Sequence, residues 1–248
     1  MPQSVSLSVI LFDMDGVLVD VSRSYRRAIQ ETVEHFTGRQ ISANAVQRYK
    51  NEGGFNDDWK LTHAVITDTA MEIPLSRVIE EFQRRYRGDN WDGFIAEEEP
   101  LIDADTLDAL AARADIMGIV TGRPQDEAEW TIEHFGWTQY FPLVIGKEKQ
   151  GDRPKPDPYP LNHCRTLLAA AGRPVDPDET VYIGDSVDDM KAARAANMWA
   201  VGMVPPYLEA ASHGPLLRER GAHLIIEDAA TLPDLVDNFT TRVALQTN

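Results

Sequence analysis

Four apolar residues in a row, Val9–Phe12, run straight into Asp13-Met14-Asp15-Gly16-Val17, and this junction constrains the fold more than any other stretch of the chain. In an extended segment residues i and i+2 face the same side, so Asp13 and Asp15 can converge at the carboxyl edge of a sheet. A metal ion and a phosphate could meet there. An aspartate-rich turn that uses Gly16 for a positive φ explains the same pentapeptide, and the choice depends on what else the chain carries.

Further short apolar runs occur at Ile116–Val120, Leu143–Ile145, residues 181–184, residues 200–203 and Leu224–Ile226. Amphipathic stretches such as 106–114 and 188–197 lie between most of them, an alternation expected of an α/β fold with a parallel sheet covered by helices. From about Asp20 to about Glu97 the rhythm breaks, with helical periods and no convincing strand. Tyr25, Ala28, Ile29 and Phe36 form one apolar stripe, Leu75, Val78, Ile79, Phe82 and Tyr86 another, and Leu61, Ala64 and Val65 a third. The expected organisation is a core of residues 1–19 and 98–248 interrupted by an all-helical insertion, 20–97. Glu97-Glu98-Glu99-Pro100 is either the return hinge or a solvated charge run.

Three more motifs stand at the ends of expected strands, where open α/β sheets place their ligands. Thr121-Gly122-Arg123-Pro124 offers a hydroxyl and a backbone that can approach an anion closely, although Thr-Gly before proline is also an ordinary helix entry. Lys155 is a compact cation that its flanking prolines hold with little chain entropy, or simply a surface lysine. Gly184-Asp185-Ser186-Val187-Asp188-Asp189 puts a hard oxygen ligand at a strand end and Asp189 one helical turn on, while Asp185 or Ser186 could equally cap the helix.

Taken in order, these four segments resemble the motifs of the haloacid dehalogenase (HAD) superfamily, in subfamily IA, whose helical cap lies between the first two motifs. The resemblance covers nearly the whole chain and implies a three-layer Rossmann-like parallel-sheet core with an inserted helical cap domain. It also implies that Asp13 attacks phosphorus to form an aspartyl-phosphate and that Asp15 acts as general acid, then base. Mg²⁺ would be held by Asp13, the Asp15 backbone carbonyl and Asp185. Thr121, Gly122 and Lys155 would hold the phosphoryl oxygens, with Asp189 supporting the metal shell or orienting Lys155. An aspartate at position 15 suits alkoxide leaving groups, because a departing halide needs no proton. The implied function is a Mg²⁺-dependent phosphatase of a small phosphorylated metabolite. A phosphomutase or a catalytically silent binding protein are the alternatives.

The second motif departs from the Ser/Thr-Asn common in this branch: Gly122 keeps the N–H and lacks the side-chain amide, which weakens any inference about substrate. Substrate choice is expected from the insertion, where Lys50, Asn51, Asn56 and Trp59 flank Gly53-Gly54. That glycine pair could also be a plain interhelical turn and Trp59 a packing aromatic. The segment containing Gly-Gly-Phe-Asn-Asp-Asp-Trp resembles the cap signature of a small clade within the branch.

Charge and composition bound the partners. Twenty-four basic against forty acidic residues give a net charge of −16, which repels nucleic acid and anionic membranes. Solubility or a high-salt source would each explain it. The single Cys164 excludes an intrachain disulfide and is expected to be a buried structural thiol. No apolar stretch approaches the ~18 residues of a membrane span and no leader pattern is seen, so a cytoplasmic protein, monomeric or weakly dimeric, is expected.

Overall fold

The computed structural model describes residues 7–239. Strand β1 (Val9–Phe12) is followed by two short strands, β2 (Val19–Asp20) and β3 (Glu99–Pro100), which pair with each other. Then come β4 (Ile116–Val120), β5 (Leu143–Ile145), β6 (Thr180–Gly184), β7 (Trp199–Met203) and β8 (Leu224–Ile226). Helices α1 (Tyr25–Thr37), α2 (Ala43–Glu52), α3 (Asp58–Thr67) and α4 (Leu75–Tyr86) lie between β2 and β3. The later ones are α5 (Ala104–Ala111), α6 (Gln125–His134), α7 (Tyr159–Ala170), α8 (Val187–Ala195), α9 (Ala210–Glu219) and α10 (Leu232–Asp237).

The chain divides into two compact units. One comprises the residues up to Val19 and those from Pro100 onward; the other is Asp20–Glu99. In the first, a six-stranded sheet runs β5-β4-β1-β6-β7-β8, every pair parallel. Every residue of β1 is buried, as a central strand covered on both faces requires. Val9 and Leu11 pack with Leu161 and Cys164 of α7 and Met190 of α8. Ile10 and Phe12 point the other way and are equally inaccessible, with the Phe12 ring edge-on to Phe141. Fully burying such a side chain is worth roughly 1.5–3 kcal/mol. Burial also pushes the Cys164 thiol up to about 12, which makes it a packing group rather than a nucleophile. Each expected apolar run became a strand.

The helical unit packs α1 against α3 and α4. The three stripes explain these helices: Tyr25, Leu61, Val65, Val78, Phe82 and Tyr86 are all buried, and the Tyr25 and Tyr86 rings lie 3.9 Å apart. Helix α2 had no stripe to announce it, because Val46 is its one buried residue. Ser42 caps it, accepting from the Ala45 N–H. Glu98 and Glu99 belong to this unit rather than to the sheet unit, two residues beyond the expected boundary. Glu98 is buried, and both Ser24 Oγ (2.7 Å) and the Tyr86 hydroxyl (3.1 Å) donate to its Oε1. No helix among the described residues is long and apolar enough to cross a membrane.

Candidate active site

Parallel strands end together, so the residues just past β1, β4 and β6 meet at one edge of the sheet. β1 lies between β4 and β6, with Phe12 level with Ile119 on one side and Ile183 on the other. The sheet grows outward in both directions from β1, which makes this edge the topological switch point where open α/β sheets leave a crevice. The ladder continues one step past the strands: Asp13 N–H donates to Ile183 O (2.8 Å) and Thr121 N–H to Ile145 O (3.0 Å). Asp13, Thr121 and Asp185 thereby take fixed places side by side, and Lys155 enters from the loop between β5 and α7.

Lys155 is buried and at the centre of the charges. Its Nζ lies 3.1 Å from Asp13 Oδ1 and 2.6 Å from Asp189 Oδ1, and it donates to the Tyr182 hydroxyl (2.7 Å) and to Val120 O (3.2 Å). Burial alone would lower its pKa, but Asp13 and Asp189 reverse that and raise it, so the ammonium stays charged. Asp189 is fully committed. Its Oδ1 accepts from Lys155 and the Tyr182 hydroxyl, and its Oδ2 accepts from the Ser186 N–H (3.0 Å) and Oγ (2.7 Å). Burial pushes its carboxyl up, but Lys155 and these donors outweigh that and hold it below the usual range. Ser186, not Asp185, is the N-cap of α8, in a capping box with Asp189. Gly184 makes this possible, since a Cβ there would lie 2.4 Å from the Asp189 Cβ.

Asp13 is in the opposite condition. Burial raises its carboxyl well above the usual range; Lys155 pulls it down, while Asp189, Asp15 and Asp185 push it up again. Its Oδ1 accepts no aligned hydrogen bond from any described residue. One oxygen each of Asp13, Asp185 and Asp189 lie within 4.8 Å of one another. Three carboxylate oxygens converging in a largely buried pocket are the donor set of a hard cation. With Asp189 occupied by four donors, Asp13 and Asp185 are the side chains better placed to hold the ion. Gly16 (φ +72°) keeps the turn open: a Cβ there would lie 2.3 Å from Asp185 Oδ2 and 2.9 Å from the Tyr207 hydroxyl.

Three residues at this edge escaped the sequence reading. Arg123 is 1% exposed, and its Nε donates to Asp15 Oδ1 at 2.6 Å. His213 of α9 is buried and bonds through Nε2 to the Asp185 backbone carbonyl at 2.7 Å, which requires the proton on Nε2. Tyr207 is the third, through its hydroxyl beside Gly16. Only Arg123 had a signal, its adjacency to Thr121-Gly122; His213 and Tyr207 lie in no motif.

Lys50, Asn51, Asn56 and Trp59 belong to the helical unit. Lys50 Nζ is paired with Asp58 at 2.6 Å, and Asn51 Oδ1 accepts from Gln47 Nε2 at 2.7 Å. Gln47 Oε1 in turn accepts from the buried Arg26. Asn56 and Trp59 are half-buried, Trp59 in the first turn of α3, which Asp57 caps. Gly53 and Gly54, both at positive φ, form the turn between α2 and α3.

A parallel α/β sheet with a lysine and three carboxylates at its switch point defines a class of protein that handles small anionic groups through carboxylate and cation chemistry. The chain belongs to the haloacid dehalogenase-like hydrolase family, whose sequence pattern matches residues 10–203. It is 32% identical over 95% of its length to an imidazoleglycerol-phosphate dehydratase from Phytophthora nicotianae, and spans 54% of that protein. It is 27% identical to a phosphoglycolate phosphatase from Chromobacterium violaceum, covering 94% of this chain and 97% of that one. The fold is that of a haloacid dehalogenase-like protein from Agrobacterium tumefaciens (TM-score 0.72, 21% identity, 95% and 100% of the two chains).

Proposed function

We propose that the protein is a Mg²⁺-dependent phosphatase that hydrolyses a small phosphorylated metabolite through an aspartyl-phosphate, in a cytoplasmic setting. The observation that carries this reading is the buried Asp13, its Oδ1 3.1 Å from the Lys155 ammonium, with Asp15 two residues on. An Asp13 oxygen attacks phosphorus and the bond to the leaving oxygen breaks. Asp15 gives that oxygen its proton and recovers one from the water that then attacks the phosphoryl group, which releases phosphate and restores Asp13. Thr121, the Gly122 N–H and Lys155 hold the phosphoryl oxygens. Asp13, the Asp15 carbonyl and Asp185 would hold Mg²⁺, which when bound would supply positive charge between the two anions. Positioning and electrostatics then carry most of the rate.

The substrate classes brought forward by the relatives' names are a phosphoglycolate-like carboxylate and a phosphate ester bearing an imidazole. Lys50, Asn51, Asn56 and Trp59 are the candidates for recognising the part of the substrate beyond the phosphate. The test is phosphate release from a panel that includes 2-phosphoglycolate, imidazoleglycerol phosphate and histidinol phosphate, with and without Mg²⁺, for the wild type and Asp13→Asn. Mg²⁺-dependent release that disappears in Asp13→Asn is expected. Release that persists in the variant removes the nucleophile, and an isomeric phosphate ester in place of inorganic phosphate makes the protein a mutase.

A further inference from the structure

Arg123 is the largest of the fully buried side chains. A guanidinium out of water is costly unless its donors are met, so the groups that meet them show what it is held for. Its Nε donates to Asp15 Oδ1 (2.6 Å) and its Nη1 to Thr131 Oγ1 (2.8 Å) in α6. Its own backbone is fastened at both ends: the N–H donates to Thr121 Oγ1 (3.2 Å), and the carbonyl accepts from the Lys147 N–H (2.8 Å). The Thr131 hydroxyl donates onward to Glu127 O (3.0 Å). The arginine is thus rigid, whereas the Asp15 side chain is a quarter exposed and is held by the arginine at Oδ1.

We infer that Arg123 is the positioning residue of the acid–base carboxylate, fixing Asp15 at one oxygen so that the other is presented to the leaving group. This rests on the phosphatase reading and adds to it a role for the residue after Thr121-Gly122. The fork geometry matters. Arginine reaches Asp15 and Thr131 through different nitrogens in one plane, and a lysine, as a single point donor, cannot hold both directions. A misplacement of about 1 Å in a reacting group costs on the order of 100-fold in rate, so the loss should fall on the step that needs the proton. Asp13 and Lys155 do not depend on this arginine, so phosphoryl binding survives its replacement.

Leaving-group dependence separates this role from a merely structural one. Phenyl phosphate departs as a basic phenoxide that needs a proton; para-nitrophenyl phosphate departs as a stable anion that hardly does. Arg123→Lys should lower kcat on phenyl phosphate about 100-fold and by about tenfold less on the nitrophenyl ester, with KM unchanged on both. Asp15→Asn should show the same selectivity, and the double variant should be no slower on phenyl phosphate than Asp15→Asn alone. Thr131→Val keeps the guanidinium and removes one anchor, and should give a smaller loss with the same bias, which covers the case in which Arg123→Lys does not fold. Equal losses on the two esters, or additive losses in the double variant, overturn the assignment. A wild type that releases phosphate from neither ester overturns the phosphatase reading on which it rests.

Discussion

In the sheet unit Asp13, Arg123, Lys155 and Asp189 are each 5% exposed or less; Lys155 pairs with Asp13 and Asp189, and Arg123 with Asp15. In the helical unit the ionic side chains form a partly solvated ladder: Glu31 pairs with Arg27 (2.8 Å) and Arg85 (2.5 Å), and Glu81 with Arg84 (2.8 Å) and Arg85 (2.7 Å). Exceptions there are Glu98, buried against Ser24 and Tyr86, and Arg26, buried and donating to Gln47. Both units use the same residue types, but in different dielectrics. Apolar groups of similar volume would hold the sheet edge at least as well as its buried ions do, so those ions are best explained by chemistry. The ladder along α1 and α4 keeps a helical face soluble and contributes little to stability.

The contrast is tested most severely by Lys155→Met. Losing the one ammonium between Asp13 and Asp189 leaves two buried carboxylates uncompensated. The expected loss is about 3–5 kcal/mol in urea unfolding, together with turnover. Retained stability would mean that these charges are not coupled as described.

An intermediate effect is expected at His223, where burial first and the charge of Arg194 second lower the ring's pKa from 6.5 to about 4. Between those values the unfolded chain binds more protons than the folded one, so stability is complete above about pH 6.5 and falls as pH drops toward 4. Discounted for the exposed part of the ring, the contribution is about 1 kcal/mol. His223→Asn keeps an acceptor for the Ala200 N–H and does not titrate, so it should flatten that limb of the stability–pH curve. An unchanged limb would place the acid sensitivity elsewhere.

The smallest effect belongs to the ladder. Glu31→Gln should shift stability by less than about 1 kcal/mol, and added salt should shrink the difference further. A loss comparable to that of Lys155→Met would erase the distinction between the two units.

The strands and the positions of Asp13, Thr121 and Asp185 were legible because a buried parallel strand must be apolar throughout and its ligand-bearing residue must come directly after it, whereas Lys155, ten residues past β5, was placed by the motif it shares with the family. The same logic located α1, α3 and α4 by their stripes and failed at α2, whose single buried residue leaves no period. Arg123 was passed over although it directly follows Thr121-Gly122, since sequence gives no measure of whether an arginine is buried. His213 and Tyr207 were invisible for a related reason: they come from beyond β7, and only the folding of the chain carries them back to Asp185 and Gly16.

By itself, then, the order of residues determined the parallel sheet, the helical insertion and those edge side chains that directly follow a strand, such as Asp13, Thr121 and Asp185, because each depends on local period and on the residues directly past a strand end. The tertiary structure alone decided how those side chains divide their work. It committed Asp189 to Lys155 and Ser186, set Asp13 beside the same ammonium, and fastened Asp15 to Arg123. The long-range choices among these turn on distances of 2.6 to 3.1 Å between residues more than thirty positions apart, and charge interactions at that range are set by packing rather than by sequence.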